Sequence, residues 1–283
     1  MSRLAEFKSK FFAYIQLARP VNAIITFLSV LVAAFITGTL EPLGAVILAC
    51  ISAGLIGSAA NTINDYYDVE IDRINKPQRT LAAGKLMPQS ALAAAIVQYA
   101  LGIILAAFIS LSMFIMAFFF SVLTYLYSAY LKRTILWGNI AVSLSTAAAF
   151  IYGGLAVNRP GETVIPAAFA FFFHFGREII KDMEDIRGDS RYHAQTFPIR
   201  FGMPPSIVLV WINFIILVVL TILPYSMGLY GSRYLLVVIV GIYPVILYVL
   251  IGILVNTTSR HLGFISNLLK ADMLVGLLAI YLH

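Results

Sequence analysis

Charged side chains are scarce in this sequence. Asp, Glu, Lys and Arg make up 11% of its 283 residues, whereas 61% are hydrophobic. The charged fraction of a soluble globular domain is nearer a quarter, so this composition excludes that class of protein. Repeated apolar runs reach the length of about 20 residues that a helix needs to cross a bilayer. The sequence therefore predicts an all-α, polytopic membrane protein.

Cysteine is almost absent too. Cys50 is the single cysteine and lies in an apolar run, which excludes a disulfide framework and a cysteine-based metal site. The basic N-terminal segment lacks the small-residue pattern of a cleavage site and is followed by further spans, so we expect no removable signal peptide. A net charge of +6 can indicate a nucleic-acid partner. The positions of the cations fit membrane topology better, and no such partner is expected.

We predict nine spans in a single domain that covers residues 1–283. Their approximate bounds are 21–39, 44–63, 88–107, 110–130, 136–157, 163–181, 205–223, 233–254 and 266–282. The second and sixth spans end in similar acidic segments, and four spans separate these equivalent positions. This spacing favours a bundle of two four-helix units in tandem plus a ninth helix.

Basic residues lie almost entirely on one side of these spans. Only Arg159 and Arg233 fall on the opposite side. The other 17 are Arg3, Lys8, Lys10, Arg19, Arg73, Lys76, Arg79, Lys85, Lys132, Arg133, Arg177, Lys181, Arg187, Arg191, Arg200, Arg260 and Lys270. Cytoplasmic loops carry the excess of Lys and Arg. We therefore expect a multi-pass protein of the plasma membrane, with the N-terminus and both acidic segments in the cytoplasm.

Acidic residues are missing from most of the chain. Nine of the 13 lie in two short segments, 65–72 and 178–189. One spacing, three residues and then four, occurs in both: in Asp65, Asp68 and Asp72, and 117 residues later in Asp182, Asp185 and Asp189. At helical periodicity such residues project from one face. Two matching carboxylate faces indicate a shared cation.

An aspartate in the middle of a lipid-facing helix costs about 2.5 to 3.5 kcal/mol. The three aspartates on each helix must therefore line a water-filled cavity or bind cations. Hard carboxylate oxygens, without paired cysteines or histidines, select Mg²⁺ or Mn²⁺ over zinc. Because Mg²⁺ commonly shares its coordination sphere with substrate phosphates, the pattern predicts a site for a metal-bridged diphosphate. Basic residues that flank the acidic segments would neutralise such a ligand.

Each feature also has a structural explanation. Juxtamembrane Lys and Arg commonly do no more than set orientation, and aspartates at a helix end can form a solvated cap. The repeated spacing, with Asn61 and Asn64 one turn earlier, favours a site. We expect Tyr66 and Tyr67 to be interface anchors, and His174 to be a packed, hydrogen-bonded side chain rather than a ligand.

These motifs resemble those of the UbiA superfamily of intramembrane prenyltransferases. Its first motif, N-D-x-x-D-x-x-x-D, is met by Asn64, Asp65, Asp68 and Asp72, and its second, D-x-x-D-x-x-x-D, by Asp182, Asp185 and Asp189. The nine-helix count and the cytoplasmic site agree with the resemblance across the whole chain. It implies transfer of a prenyl chain from an allylic diphosphate to an acceptor, assisted by Mg²⁺.

The resemblance also implies residue roles. Asn64, Asp68 and Asp72 would bind one Mg²⁺ and Asp182 and Asp185 a second, with Asp65 and Asp189 as further candidate ligands; Mn²⁺ is an alternative metal. Asp68, Asp72, Asp182, Asp185 and Lys132 would form the catalytic set. Candidate substrate-binding residues are Arg19, Asn22, Asn61, Lys76, Arg79, Tyr127, Tyr130, Arg133, Arg177 and Lys181. The tyrosine and lysine of the family's motif after the fourth span are usually four residues apart, whereas Tyr127 and Lys132 are five apart, so Tyr130 competes for the tyrosine role.

Three acceptor and function hypotheses follow. The stretches DVEIDRINKPQR, REIIKDMEDIRGD and TFPIRFG look most like the digeranylgeranylglyceryl phosphate synthase branch. In that branch a geranylgeranyl group is transferred to the anionic lipid geranylgeranylglyceryl phosphate, in archaeal-type ether-lipid synthesis. The chain reads RTLAAG where that branch commonly reads R-P-I-P-S-G, which keeps an aromatic acceptor, a quinone-type precursor, as the alternative. An ion-coupled transporter is a distant third, because it predicts acidic residues deep within the spans.

Overall fold

The chain is almost entirely helical. In the computed structural model, the backbone is described from residue 3 and the side chains from residue 7 to residue 283. The side chain of Arg3, one of the predicted cytoplasmic cations, lies outside the described residues. Residues 3–283 contain no β-strand. The α-helices are α1 (Arg3–Ala18), α2 (Pro20–Phe35), α3 (Leu43–Tyr67), α4 (Val69–Asn75), α5 (Pro88–Ala107), α6 (Leu111–Ala129), α7 (Trp137–Ala156), α8 (Val164–Arg191), α9 (Phe197–Phe201), α10 (Met203–Ser226), α11 (Ser232–Val237), α12 (Tyr243–Val255) and α13 (Ser259–Tyr281).

Eight helical segments of the described chain are long and apolar enough to cross a membrane, or nine if one bent pair is a single span. The bent pair is α1 and α2, which meet at 46°. Arg19, at the bend, has a φ of 51°, and Pro20 follows it without a backbone N–H to continue the hydrogen-bond ladder. Helix α1 is an addition to the predicted elements. The prediction of an all-α membrane bundle is confirmed.

Helix α8 is longer than its predicted span. Its 28 residues extend about 42 Å, whereas the hydrocarbon core of a bilayer is about 30 Å thick. The sequence pattern ended this span at residue 181, but the helix continues without a break to Arg191. The second aspartate motif therefore lies on a rigid extension of the spanning helix, which runs ten residues past the predicted end of the span.

The last helix also differs from its prediction. Helix α13 begins at Ser259 rather than at residue 266. Lys270, which the prediction counted among the cytoplasmic cations, therefore lies well inside the helix.

Small residues and backbone polar groups allow the helices to pack closely. Helix α8 packs against α7, α10 and α13, and α7 packs against α2. At the α2–α7 contact, a Cβ on Gly153 would lie 2.3 Å from the carbonyl oxygen of Val30, so a larger residue there forces the helices apart. Ser52 Oγ on α3 donates a hydrogen bond of 2.7 Å to the Gly102 carbonyl on α5. Small residues at helix contacts are the usual means of close packing in a membrane.

The orientation of the bundle can be tested at the two ends of α8. Gly161 precedes the helix and Ser190 lies in its last turn, and both are exposed. Starting from a Cys50→Ala chain, we expect Gly161→Cys to react with a membrane-impermeant maleimide added to intact cells. Ser190→Cys should react only after permeabilisation, because the excess of Lys and Arg on that side predicts that this end of the helix faces the cytoplasm. The reverse labelling pattern would refute the predicted orientation.

Candidate active site

A cavity of about 670 Å³ brings most of the predicted site residues together. Met116, Phe120 and Phe150 contribute to its apolar wall. The predicted residues that line it are Arg19, Asn22, Asn61, Asn64, Lys76, Arg79, Tyr127, Lys132, Arg177, Lys181, Asp182, Asp185 and Asp189. They come from helices and loops that are far apart in sequence. The cavity thus has one strongly charged region and one apolar region.

Two predicted substrate-binding residues lie outside this cavity lining. Tyr130 is 67% exposed. Arg133 is exposed too, and its carbonyl oxygen accepts a hydrogen bond of 2.8 Å from the Gln195 backbone N–H. Of the two tyrosines that compete for the family's tyrosine position, Tyr127 is the one that lines the cavity.

The first aspartate motif spans a helix break. Helix α3 ends at Tyr67, Asp68 forms the junction, and α4 starts at Val69. The carboxylates of Asp65, Asp68 and Asp72 are buried and paired with cations behind the cavity surface instead of forming one open face. These pairs are Arg19 with Asp65, Lys132 with Asp68, and Arg79 Nη1 with Asp72 at 2.6 Å.

Burial and ion pairing act in opposite directions on this motif. Burial disfavours the charged form of Asp68, but Lys132, Arg79 and Arg19 outweigh it and hold the pKa of that carboxyl below its usual value. At Asp72, burial outweighs the attraction of Arg79 and raises the pKa of the carboxyl. Asp68 is therefore the more readily ionised of the two, and the better anionic ligand.

The second motif is held by neutral donors and by one lysine. Asn139 Nδ2, on α7, donates a hydrogen bond of 2.8 Å to Asp182. Lys76 Nζ lies 2.8 Å from Asp185 Oδ2, so the segment after the first motif contacts the second motif directly. Asp182, Asp185 and Asp189 all line the cavity. The segment that follows the first motif therefore meets the second motif at one cavity, which Asn64 of the first motif also lines.

A second contact supports this meeting of the motifs. Asn75 Nδ2 donates a hydrogen bond of 3.2 Å to the Asp185 carbonyl oxygen. The Asn75 side chain packs against Gly188, where a Cβ would lie 2.4 Å from Asn75 Nδ2. A glycine at this position lets the end of α4 approach α8, which brings Lys76 within reach of Asp185.

The two predicted cations of α8 are held by a residue that the prediction left without a role. Glu178 Oε2 lies 2.8 Å from Lys181 Nζ, and Glu178 Oε1 lies 3.2 Å from Arg177 Nη1. Arg177 Nε also donates a hydrogen bond of 3.1 Å to the Ser266 carbonyl on α13. The fixed carboxylate of Glu178 therefore orients both cations toward the cavity.

The donor atoms fit a magnesium site that is completed by other ligands. Among the described residues, no three His, Cys, Asp or Glu side chains converge on one point. Asn64 Oδ1 is buried without a hydrogen-bond partner, while its Nδ2 donates to Asp68 Oδ2 at 2.9 Å. An orphaned amide oxygen beside an ionised carboxylate is a suitable set of hard ligands, and Mg²⁺ commonly takes its remaining ligands from water and phosphate.

Sequence reasoning missed several cavity residues. Asn139, Glu178 and Lys270 were not assigned to the site, yet Glu178 and Lys270 line the cavity and Asn139 binds Asp182. Each is a polar or charged side chain within an otherwise apolar helix, which is the signal that could have identified it. His174, expected to be hydrogen-bonded, lines the cavity and makes no hydrogen bond in the described part of the chain.

Known proteins are similar to this chain in sequence and in fold. A digeranylgeranylglyceryl phosphate synthase of Methanopyrus kandleri is 36% identical over 267 residues, covering 94% of this chain and 97% of that protein. One of Pyrococcus abyssi is 38% identical, covering 89% and 90%. A solved structure described as a digeranylgeranylglyceryl phosphate synthase in membranes has a TM-score of 0.74 and 28% identity, with coverage of 96% and 97%.

A second solved structure indicates the fold alone. It is a UbiA homolog from Archaeoglobus fulgidus bound to DMAPP and Mg²⁺, with 24% identity, a TM-score of 0.66 and coverage of 93% and 98%. The sequence model of the UbiA prenyltransferase family matches residues 23–267, which include both aspartate motifs. The chain therefore belongs to the UbiA prenyltransferase family.

Proposed function

We propose that this chain transfers a geranylgeranyl group from its diphosphate to the hydroxyl of geranylgeranylglyceryl phosphate. The observation that carries the proposal is the cavity itself, in which Asn64 of the first motif, the aspartates of the second motif and seven Lys and Arg side chains adjoin an apolar wall. An allylic diphosphate has the same two parts, an anionic head and a long hydrocarbon chain. The relatives named digeranylgeranylglyceryl phosphate synthase support the choice of acceptor.

The polar end of the cavity would bind the diphosphate. Asn64, Asp68 and Asp72 would hold one Mg²⁺, and Asp182 and Asp185 a second. Mg²⁺, when bound, would neutralise charge on the diphosphate oxygens as a Lewis acid. The structure of the homolog bound to DMAPP and Mg²⁺ supports this metal. The candidate oxygen ligands of this chain are also compatible with Mn²⁺.

Cations of the chain would stabilise the departing diphosphate. The C1–O bond of the donor breaks, and its electron pair leaves with the diphosphate oxygen. Arg79 and Lys132, which line the cavity beside the first motif, would donate charge-assisted hydrogen bonds to that leaving group. The hydroxyl oxygen of the acceptor then forms the new ether bond to C1, and its proton passes to the released diphosphate.

The apolar end of the cavity would hold the prenyl chain and exclude water. Met116, Phe120 and Phe150 contribute to this wall. Water would otherwise capture the allylic cation and hydrolyse the donor. Lipids of the surrounding membrane would solvate the prenyl chain, and the acceptor would reach the cavity from this membrane. By the distribution of Lys and Arg, the site would face the cytoplasm of a cell whose plasma membrane contains the protein.

The acceptor can be tested with purified protein in detergent. We expect labelled geranylgeranyl diphosphate and Mg²⁺ to give product with geranylgeranylglyceryl phosphate and none with hydroxybenzoate or dihydroxynaphthoate. EDTA should abolish the reaction because the carboxylates cannot neutralise a diphosphate without a metal. Product on an aromatic acid alone would overturn the acceptor while leaving prenyl transfer intact.

The metal ligands can be tested by comparing acidic residues of one segment. We expect Asp68→Asn to lower kcat by about 100-fold or more and to raise the Mg²⁺ concentration needed for half-maximal rate, since an amide is a weaker ligand than a carboxylate. The control is Glu70→Gln. Glu70 is 57% exposed and, among the side chains from residue 7 onward, is paired only with Arg73 at the surface, so its loss should change the rate by less than about twofold.

The same comparison applies to the second motif. Asp182→Asn should behave as Asp68→Asn does, because both carboxylates are assigned to metal. Equal rates in Asp68→Asn, Asp182→Asn and Glu70→Gln, with the same Mg²⁺ dependence, would contradict the assignment.

A further inference from the structure

One cation of the cavity has no hydrogen-bond or ion-pair partner among the described side chains. Lys270 on α13 lines the cavity together with Ser266 and Asn267, which precede it by four and three residues and so share its helix face. In the described part of the chain, its ammonium group makes neither a hydrogen bond nor an ion pair. The charged side chains that act on it electrostatically are Arg177, Arg19 and Lys181, all of which are positive.

The other cations of the cavity have carboxylate partners. These pairs are Arg19 with Asp65, Lys76 with Asp185, Arg79 with Asp72 and Lys132 with Asp68, and Arg177 and Lys181 share Glu178. Among the described residues, Lys270 is therefore the cavity cation without a carboxylate partner. It lies on the wall formed by α13, whereas the first motif lies on α3 and α4 and its cations lie before α2, after α4 and after α6.

Acidic residues near Lys270 do not neutralise it. Asp272 is 4% exposed and faces a deeper apolar recess, lined in part by Phe169 and Tyr234. Glu184 is the acidic group near the start of α13, where a Cβ on Gly263 would lie 3.0 Å from Glu184 Oε1, but its partner is Lys76 at 3.8 Å. A partly buried ammonium group without a counter-ion costs free energy, which an anionic ligand would recover.

We propose that Lys270, with Asn267 beside it, binds the phosphate monoester of the acceptor at a site separate from the diphosphate site. This inference rests on the proposed function. In geranylgeranylglyceryl phosphate, the phosphate and the reacting hydroxyl are attached to adjacent carbons of glycerol, so the phosphate must lie near the reacting centre. Lys270 lies near the candidate substrate-binding cations, because Arg177 Nε donates a hydrogen bond of 3.1 Å to the Ser266 carbonyl, one turn before Lys270.

Such a site would select the acceptor. Lys270 would attract a lipid with a phosphate group and fix which hydroxyl points at C1 of the donor. An acceptor of the same length that lacks the phosphate would leave the ammonium group unpaired, and would bind less tightly. Selection of the phosphorylated acceptor would thus come from the charge on α13. The metal-binding motifs would contribute equally to the reaction of both acceptors.

The test compares two acceptors in the purified full-length protein with geranylgeranyl diphosphate and Mg²⁺. One is geranylgeranylglyceryl phosphate, and the other is the same molecule without its phosphate. We expect Lys270→Met to lower the ratio of kcat/KM for the phosphorylated acceptor to kcat/KM for the neutral one by about 10- to 100-fold, as expected for one charge-assisted hydrogen bond. The KM for the donor should stay within about twofold, and Lys270→Arg should restore most of the ratio.

Arg260→Met is the matched control. Arg260 is an exposed cation on the same helix and does not line the cavity, so its loss should leave the ratio unchanged. An unchanged ratio in Lys270→Met would overturn the inference, even if both rates fall, because a purely structural defect affects both acceptors equally. If Lys270→Met does not fold, Lys270→Gln answers the same question. If the unmodified protein makes no product with geranylgeranylglyceryl phosphate, the proposed function fails, and the acceptor site fails with it.

Discussion

The structure depends on neutralising carboxylates that are buried at one end of a membrane bundle. Asp65, Asp68 and Asp72 are each 4% exposed or less. Each is balanced by a cation from another part of the chain: Arg19 before α2, Arg79 after α4, and Lys132 after α6. Removing one partner of a buried ion pair costs about 3–5 kcal/mol because the remaining charge stays desolvated. The same contacts that make burial tolerable therefore fix three segments around the first motif.

The second motif is supported by a helix rather than by a loop. Because α8 extends past the thickness of the hydrocarbon core, its last turns present Asp182, Asp185 and Asp189 on rigid backbone. Lys76 and Asn75 then attach the end of α4 to this extension. Both halves of the site are thus positioned by spanning helices, which suits a reaction in which a diphosphate must be held between two acidic surfaces.

Charge is distributed across the cavity in a way that fits two anionic substrates. Carboxylates and cations alternate around the two motifs, where a diphosphate and metal would bind, and α13 contributes a separate positive charge. The apolar wall beyond them matches the hydrocarbon chains of both lipids. A cavity with a single balanced charge cluster would suit the donor alone. Lys270 on α13, which has no ion-pair partner among the described residues, is what relates this site to an acceptor that carries a phosphate group.

Sequence alone determined the fold class, the two motifs and most of the charged residues that line the cavity. Apolar runs and the scarcity of charge specify spanning helices because the bilayer admits few other elements, and the repeated aspartate spacing is visible without coordinates. One prediction from the local spacing was wrong. It places Asp65, Asp68 and Asp72 on a single helix face, whereas α3 ends before Asp68 and α4 begins after it.

Tertiary structure decided which charges meet. The rotation of the helices against one another decides three features of the site. It brings Arg177 and Lys181 to the same carboxylate, that of Glu178. It also places Tyr127 rather than Tyr130 in the cavity lining, and it leaves Lys270 without a partner among the described residues. Helix rotation is set by close packing at residues such as Gly153 and Gly188, that is, by contacts between segments distant in sequence. Periodicity within one helix carries no information about these contacts, and for that reason the ion pairs of the site could be read only from the folded chain.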